Sequence, residues 1–270
     1  MKRVWIALLW LSAGCFAQAP RILIVTDLEG VGGVNDRDEQ LLPGQRRYIE
    51  SQRILTGEVN AAVEGAFAGG AEEVVIWDGH DGSRTLSVEE IERRAKLLQG
   101  KPTPANYYLS DKLYDGIMFV GQHAMAGAKG GVLSHSQSFS VKRIAINGRD
   151  VGEIGQVAAI AGYFNIPVVM LAGDQAACDE LIALQPQAVT VAVKRLAGKA
   201  STLSLSHAEA KRQIGQAAKR AVMQIKEYAP WKITGPVEMT FEYLPQPSQD
   251  ARTVRYQGQT VLEAYEAWLK

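Results

Sequence analysis

The run Arg21-Ile-Leu-Ile-Val-Thr-Asp27 (RILIVTD) is aliphatic without a break from Ile22 to Val25. A strand with one wet face alternates polar and apolar residues; this one does not, so it reads as a strand buried on both sides, inside a parallel sheet. The stretch 44–69 is long and helix-like, and EEVVIWD at 72–78 is a second buried strand, which makes one βαβ unit. GIMFVGQ (116–122), RIAIN (143–147), IPVVMLAG (166–173) and AVTVAV (188–193) continue the strands, with helices predicted over 153–164, 174–184 and 206–228. The fold class is therefore α/β: three layers, a largely parallel sheet flanked by helices. Beyond residue 194 the pattern changes. VEMTFEY (237–243) alternates, PQPSQD is turn-rich, and VLEAYEAWLK (261–270) is a short amphipathic helix, so 195–270 reads as a C-terminal helical and antiparallel appendage on an α/β core of 20–194.

Composition excludes several classes of function. At 270 residues and 47% hydrophobic, the chain can bury a large core, which rules out a disordered or coiled-coil protein. Lys plus Arg (29) balances Asp plus Glu (29) with no basic run, so nucleic acid is not expected as a partner. Two cysteines without a CxxC exclude a disulfide scaffold and a cysteine-type zinc site, leaving histidine and carboxylate as the metal ligands available. Lys2 and Arg3, the apolar stretch Val4–Leu11 and Ala17-Gln18-Ala19 form an export signal, residues 1–19, cut after 17 or 19. That predicts an exported chain, periplasmic or secreted, with no membrane span, because the apolar run is too short for one. LSAGC at 11–15 is a poor lipoprotein box, since Ser12 stands where an aliphatic residue is usual, and lipidation of Cys15 is the minor alternative.

In open α/β sheets, ligands sit beyond the carboxyl ends of the strands, so the polar residues there are the ones to inspect. The first strand ends in Asp27 and Glu29, an i, i+2 pair that an extended backbone points to one side. The competing account is that one of them caps the next segment or pairs with Arg37, Arg46 or Arg47. His80 follows the second strand and His123 the strand at 116–122, two of only four histidines in equivalent places. His135 lies between Ser134 and Ser136 in a third connection, and Glu153 opens a predicted helix, where the dipole alone would welcome it. His207, at the head of the last long helix, is read as structural. Imidazole plus carboxylate suits zinc, with manganese, cobalt or iron as other metals the donors accept, and is wrong for calcium. Five candidate ligands, Asp27, Glu29, His80, His123 and Glu153, exceed what one catalytic zinc uses and fit two metal ions sharing a carboxylate. His135 is then the spare imidazole, suited to proton transfer.

Other motifs fail. EGVGGVN at 29–35 lacks the third glycine of a dinucleotide fingerprint, and the polar NDRDEQ after it is not expected to open a helix. Walker A and GxSxG are absent, and Cys178 has no histidine near it in sequence. Together TDLEGVGGV, QRRYIESQRILTGEVNAAVEGAFAGGAEEVVIWDGH, GIMFVGQHAMAG, GGVLSHSQS, INGRDVGEIGQ and IPVVMLAGD resemble the DppA-like D-aminopeptidase family of dinuclear zinc peptidases, over about 21–194 closely and the tail loosely. The resemblance implies an α/β metallopeptidase that removes N-terminal D-residues, typically D-Ala, from short peptides, and a homo-oligomer, a ring among the arrangements this allows.

Position by position, the family's metal ligands fall on Asp27 and Glu29 of TDLEG, His80 of DGH, His123 of GQHA and Glu153 of GE, and its catalytic histidine on His135 of SHS. The implied chemistry is attack on the scissile carbonyl by a hydroxide held between two zinc ions, with His135 as acid and base. The chain departs from the family at Gln122 (often aromatic), Met125 (often basic) and Gln175 (often acidic), which bears on substrate preference more than on metal binding. Three rivals remain. Another dinuclear hydrolase, a phosphoesterase or amidase, shares the ligand shell, but no arginine lies within the ligand motifs as a phosphoryl reader would want. An exported solute-binding protein needs two similar lobes, and the tail is too short to mirror the core. A family member that binds metal without turnover is at odds with an intact ligand set.

Overall fold

The computed structural model describes residues 18–101, 113–199 and 201–270; the signal segment predicted at 1–19 lies outside them except for its last two residues. Strand β1 (Arg21–Thr26) leads through a one-turn helix α1 (Arg37–Gln40) and the long helix α2 (Tyr48–Ala68) to β2 (Glu73–Asp78) and the short edge strand β3 (Lys96–Leu98). Then come β4 (Gly116–Gln122), β5 (Val141–Ile146), β6 (Arg149–Asp150), helix α3 (Glu153–Tyr163), β7 (Val168–Asp174), helix α4 (Gln175–Leu184), β8 (Val189–Leu196) and β9 (Thr202–Ser204). Helix α5 (His207–Met223) and a single 3-10 turn (Ile225–Glu227) precede β10 (Val237–Tyr243), β11 (Arg252–Gly258) and helix α6 (Val261–Leu269).

Seven strands form the main sheet in the order β3-β2-β1-β4-β7-β8-β9, parallel except for β9 against β8. Both faces are covered, as the unbroken aliphatic runs require. Ile22 and Ile24 pack with Leu55, Val59 and Ala62 of α2 and Ile214 and Ala218 of α5, while Leu23 and Val25 pack with Ile154 and Ala158 of α3 and Leu181 of α4. The chain runs from β1 to β2 on one side and later inserts β4 on the other. This makes the crevice between the carboxyl ends of β1 and β4 a switch point, where such sheets bind ligands.

Two expectations need correction. RIAIN does not extend the parallel sheet: β5 belongs to a second, antiparallel sheet ordered β11-β10-β5-β6, in which Met239 pairs with Ile146 and Phe241 with Ile144. An apolar pentapeptide reads alike in either sheet, and its partner β10 lies far along the chain. Contacts accordingly cross residue 194, through this sheet and through α5 packing on α2. NDRDEQ does open a helix: Asp36 Oδ1 accepts hydrogen bonds from the backbone N–H groups of Asp38 (2.8 Å) and Glu39 (3.1 Å), capping α1.

Candidate metal centre

The carboxyl ends of β1, β2 and β4, adjacent in the sheet, deliver Asp27, His80 and His123 to one spot, and the loop after β1 adds Glu29. Residues 123–140, between β4 and β5, bring His135, and the N-terminus of α3 brings Glu153. His80 Nδ1 lies 3.0 Å from Asp27 Oδ1 and 3.1 Å from Glu29 Oε2. His123 Nε2 lies 3.2 Å from Asp27 Oδ2 and 3.5 Å from Glu153 Oε1, and His135 Nε2 is 3.8 Å from that same Glu153 oxygen. All six residues named from the sequence are therefore in one cluster. Arg37, Arg46 and Arg47 do not pair with the acids: Arg46 binds Glu39, Arg47 binds Glu50, and the Arg37 guanidinium lies over the Phe139 ring. His207 stands apart, its ring against Gly57 of α2.

Backbone carbonyls orient each imidazole. His80 Nε2 meets Leu41 O (2.9 Å), His123 Nδ1 meets Ala124 O (2.9 Å) and His135 Nδ1 meets Leu133 O (3.0 Å), so each ring donates outward and presents its other nitrogen to the carboxylates. A lone pair facing a carboxylate is repulsive unless a proton or a metal cation stands between them. Glu29 Oε2 and His123 Nε2 are buried without completing a hydrogen bond, although charged groups stand 3.1 and 3.2 Å away; both point into shared space. Ligand atoms of Asp27, Glu29 and His123 lie within 4.8 Å of one another, as do those of His123, His135 and Glu153. The donor set and its unused atoms fit metal cations of the zinc type.

In the absence of a cation, protons fill that space. Burial opposes charge on His80, but the hydrogen bond with Asp27 and the negative charges of Asp27 and Glu29 outweigh it and push its pKa up to about 11. His123 is likewise raised well above an ordinary histidine against its burial, by Glu153 and Asp27. Burial would raise Asp27, yet the two imidazoles hold it well below the usual carboxylate range. The carboxylates thus favour a proton on His80 at neutral pH, and a cation that binds beside it must displace that proton. Zinc loading at pH 7 is expected to release protons, and affinity to rise with pH by about tenfold per unit for each proton displaced. Calorimetry in buffers of differing ionisation enthalpy reads this; zinc binding without proton release would mean the rings are neutral beforehand.

The cluster's supports were not legible in sequence. Gly121, at φ +78°, lets the bulged end of β4 approach β1, where an added Cβ would run into the Asp27 carbonyl oxygen. Gln122 Nε2 donates to Asp27 Oδ2 at 3.0 Å, so this departure from the family acts on a candidate ligand as well as on the pocket. Glu180 of α4 accepts from Met125 N (2.8 Å) and Gly152 N (3.1 Å), bracing the segments that carry His123 and Glu153. Lys194 of β8, 2% exposed, donates from Nζ to the carbonyls of Glu29 and Val34, while Glu58 Oε1 accepts from Gly32 N (3.3 Å). The EGVGGV loop is a backbone cradle held by a buried lysine and glutamate, with Glu29 at its head.

Two cavities open on the cluster and share Asp27, Gly79, Lys101, Gln137 and Glu153. One, about 520 Å³, is polar and holds Arg37, His80, His135 and Ser138; the other, about 510 Å³, is walled by Trp77, Phe119, Tyr265 and Trp268.

The family model described as D-aminopeptidase matches residues 21–269. This chain belongs to the D-aminopeptidase family. A D-aminopeptidase of Bacillus subtilis (strain 168) is 32% identical over 263 residues, covering 92% of this chain and 95% of its own. The solved structure of the Zn-dependent D-aminopeptidase DppA from Bacillus subtilis, described as a self-compartmentalizing protease, superposes with a TM-score of 0.85 at 32% identity over 92% of this chain and 95% of that one. The family supplies the reaction that the cluster suits. This is a metal-dependent D-aminopeptidase, a metallopeptidase of α/β fold, and the phosphoesterase and solute-binding alternatives are not favoured.

Proposed function

We propose that Asp27 is the shared carboxylate of a two-zinc centre that removes N-terminal D-residues, D-Ala above all, from short peptides. The observation that carries this is the division of its two oxygens: Oδ1 faces His80, with Glu29 beside it, and Oδ2 faces His123, with Glu153 beside it. Asp27, Glu29, His80, His123 and Glu153 would then hold two ions between them. Zinc bound there supplies Lewis acidity, activating water and polarising a carbonyl.

The remaining steps belong to the chain. His135 is held by Leu133 O and stacked between His123 (4.0 Å) and Phe139 (4.2 Å), with Nε2 turned to the cluster beside Glu153. It is placed to pass a proton to the leaving amine and to support the charge that develops on the reacting carbonyl. Burial would raise the Glu153 carboxyl, but His123 holds it below the usual range, so it stays ionised and keeps both imidazoles oriented.

By its likeness to the self-compartmentalizing relative, we propose that this chain also assembles into a homo-oligomer, with a ring as the expected form. Export to the periplasm or medium is part of the same proposal; it is supported by the charged, apolar and small-residue order of residues 1–19. No helix among the described residues is long and apolar enough to cross a membrane.

Metal analysis of the processed protein after zinc loading, paired with assays on D-Ala and L-Ala peptides, tests the reading. About two ions per chain and a strong D preference are expected. One ion per chain would remove the shared carboxylate, and equal rates on both enantiomers would remove the substrate assignment.

A further inference from the structure

Arg37 is an exposed residue whose guanidinium makes no ion pair or hydrogen bond among the described residues, in a chain where its neighbours Arg46 and Arg47 are both paired with glutamates. Its position is nevertheless fixed. The backbone is held at the start of α1 by the Asp36 cap and by Gln45 Nε2, which donates to Arg37 O at 3.0 Å. The guanidinium carbon lies 4.1 Å from the centre of the Phe139 ring. Phe139 stacks on His135 at 4.2 Å, and His135 stacks on His123 at 4.0 Å. Arg37 is thus the outer member of a stacked column whose inner members stand in the metal cluster, and it lines the polar cavity that opens on that cluster.

Stacking occupies one face of a guanidinium and leaves its N–H edge free, in the fork geometry that matches a carboxylate. Asp27, Glu29 and Glu153 line the floor of this cavity, so an anionic ligand group is better placed at its rim. Of the two basic side chains that line it, Lys101 and Arg37, Arg37 is the one stacked on the column that leads to His135. The spacing suits a peptide. The guanidinium lies 4.1 Å and the His135 ring 4.2 Å from the Phe139 ring; a forked carboxylate takes up part of that reach, and one or two extended residues at about 3.4 Å each span the rest.

We infer that Arg37 reads the C-terminal carboxylate of the short peptide substrate. This rests on the metal centre proposed above as the place where the bond is cut. The peptide carboxylate forms a forked, charge-assisted pair with the guanidinium while the scissile bond lies by His135. Longer peptides carry their carboxylate past the column, and amidated ones lack it. A partly solvated pair of this kind discriminates by about tenfold, less at high salt.

The test compares D-Ala-D-Ala with its C-terminal amide. The wild-type zinc enzyme is expected to show kcat/KM about tenfold higher for the acid, mainly through KM. Arg37→Met should bring the acid-to-amide ratio close to one by raising KM for the acid, and Arg37→Lys should keep part of the preference. Arg46→Met removes a charge from the same surface without touching the cavity and should keep the ratio. A wild-type ratio near one, or a ratio lowered as much by Arg46→Met as by Arg37→Met, overturns the inference while leaving the metal centre standing. Hydrolysis of neither substrate overturns both readings together.

Discussion

His135→Ala is expected to lower kcat by about a thousandfold while the purified protein keeps its full metal content. Loss of a positioned acid–base group removes about 10²- to 10⁴-fold. Here the ring is the one imidazole of the cluster that no β-strand end delivers; it arrives on the loop before β5 and meets the ligands only through Glu153, at 3.8 Å, and by stacking. Glu153 retains its hydrogen bond from Gln137 N (2.8 Å) when the ring is gone, so that carboxylate should not collapse. Substrate affinity should change far less than kcat, the pattern of a group that acts in the transition state. The competing outcome is specific. His135 Nε2 lies close enough to His123 and Glu153 to share an ion with them, so a variant that loses metal along with activity would move His135 into the ligand set.

Lys194→Met is expected to destabilise the fold by about 3 kcal/mol and to weaken metal retention. The ammonium is buried and donates to two carbonyls of one loop, and Asp174, Glu58, Glu29 and Asp27 all act on it electrostatically. Burial pushes its pKa down to about 8, and burial raises Glu58 to about 7. Removing the cation leaves Glu58 buried without its compensating charge and two carbonyls without donors, defects of the size that broken buried pairs produce. In a domain of this length about 3 kcal/mol lowers Tm by about 10 °C. Glu29 is the first residue of the released loop, so zinc should be lost at lower chelator concentration. The double variant Lys194→Met with Glu58→Gln should recover part of the stability, because the stranded carboxylate is gone. Thermal melts and chelator titrations of the three proteins check this. An unchanged Tm and unchanged zinc retention in Lys194→Met would mean that the loop holds its shape without the cation.

Much of this architecture could be read before any coordinates, and for a physical reason. Unbroken aliphatic runs such as Ile22–Val25 have one stable home, a sheet covered on both faces, and in such sheets polar side chains gather at the carboxyl ends. That rule alone leads to Asp27, Glu29, His80 and His123. The structure removes the arginine half of the competing explanation by placing His80 between the two acids, while Asp27 Oδ1 also accepts from Leu28 N (2.9 Å) of the next segment. What stayed hidden depends on pairing over long sequence distances. RIAIN carries no mark of which sheet takes it. Glu58 stands alone among small and polar residues, and Glu180 and Lys194 each sit beside another charge, Asp179 and Arg195, so composition does not tell them from solvated ones. The short edge strands β3 and β9 have too few residues for a period. The helix α1 is a different case: Asp36-Arg37-Asp38-Glu39 has the spacing of a capping box, a local signal that was available and outweighed by the polarity of the segment.

The pairing of β5 with β10 has a consequence for how the enzyme comes to life. His135 and Glu153 lie on either side of the β5–β6 hairpin, and the β5 edge facing away from β6 is covered only by residues 239–243, near the end of the chain. During synthesis Asp27, Glu29, His80 and His123 emerge early, but the hairpin that sets the spacing of His135 and Glu153 waits, one edge open, until β10 has been made. A chain that lacks residues 239–243 is therefore expected to hold its first four cluster residues without a fixed partner position for His135, the proposed proton donor.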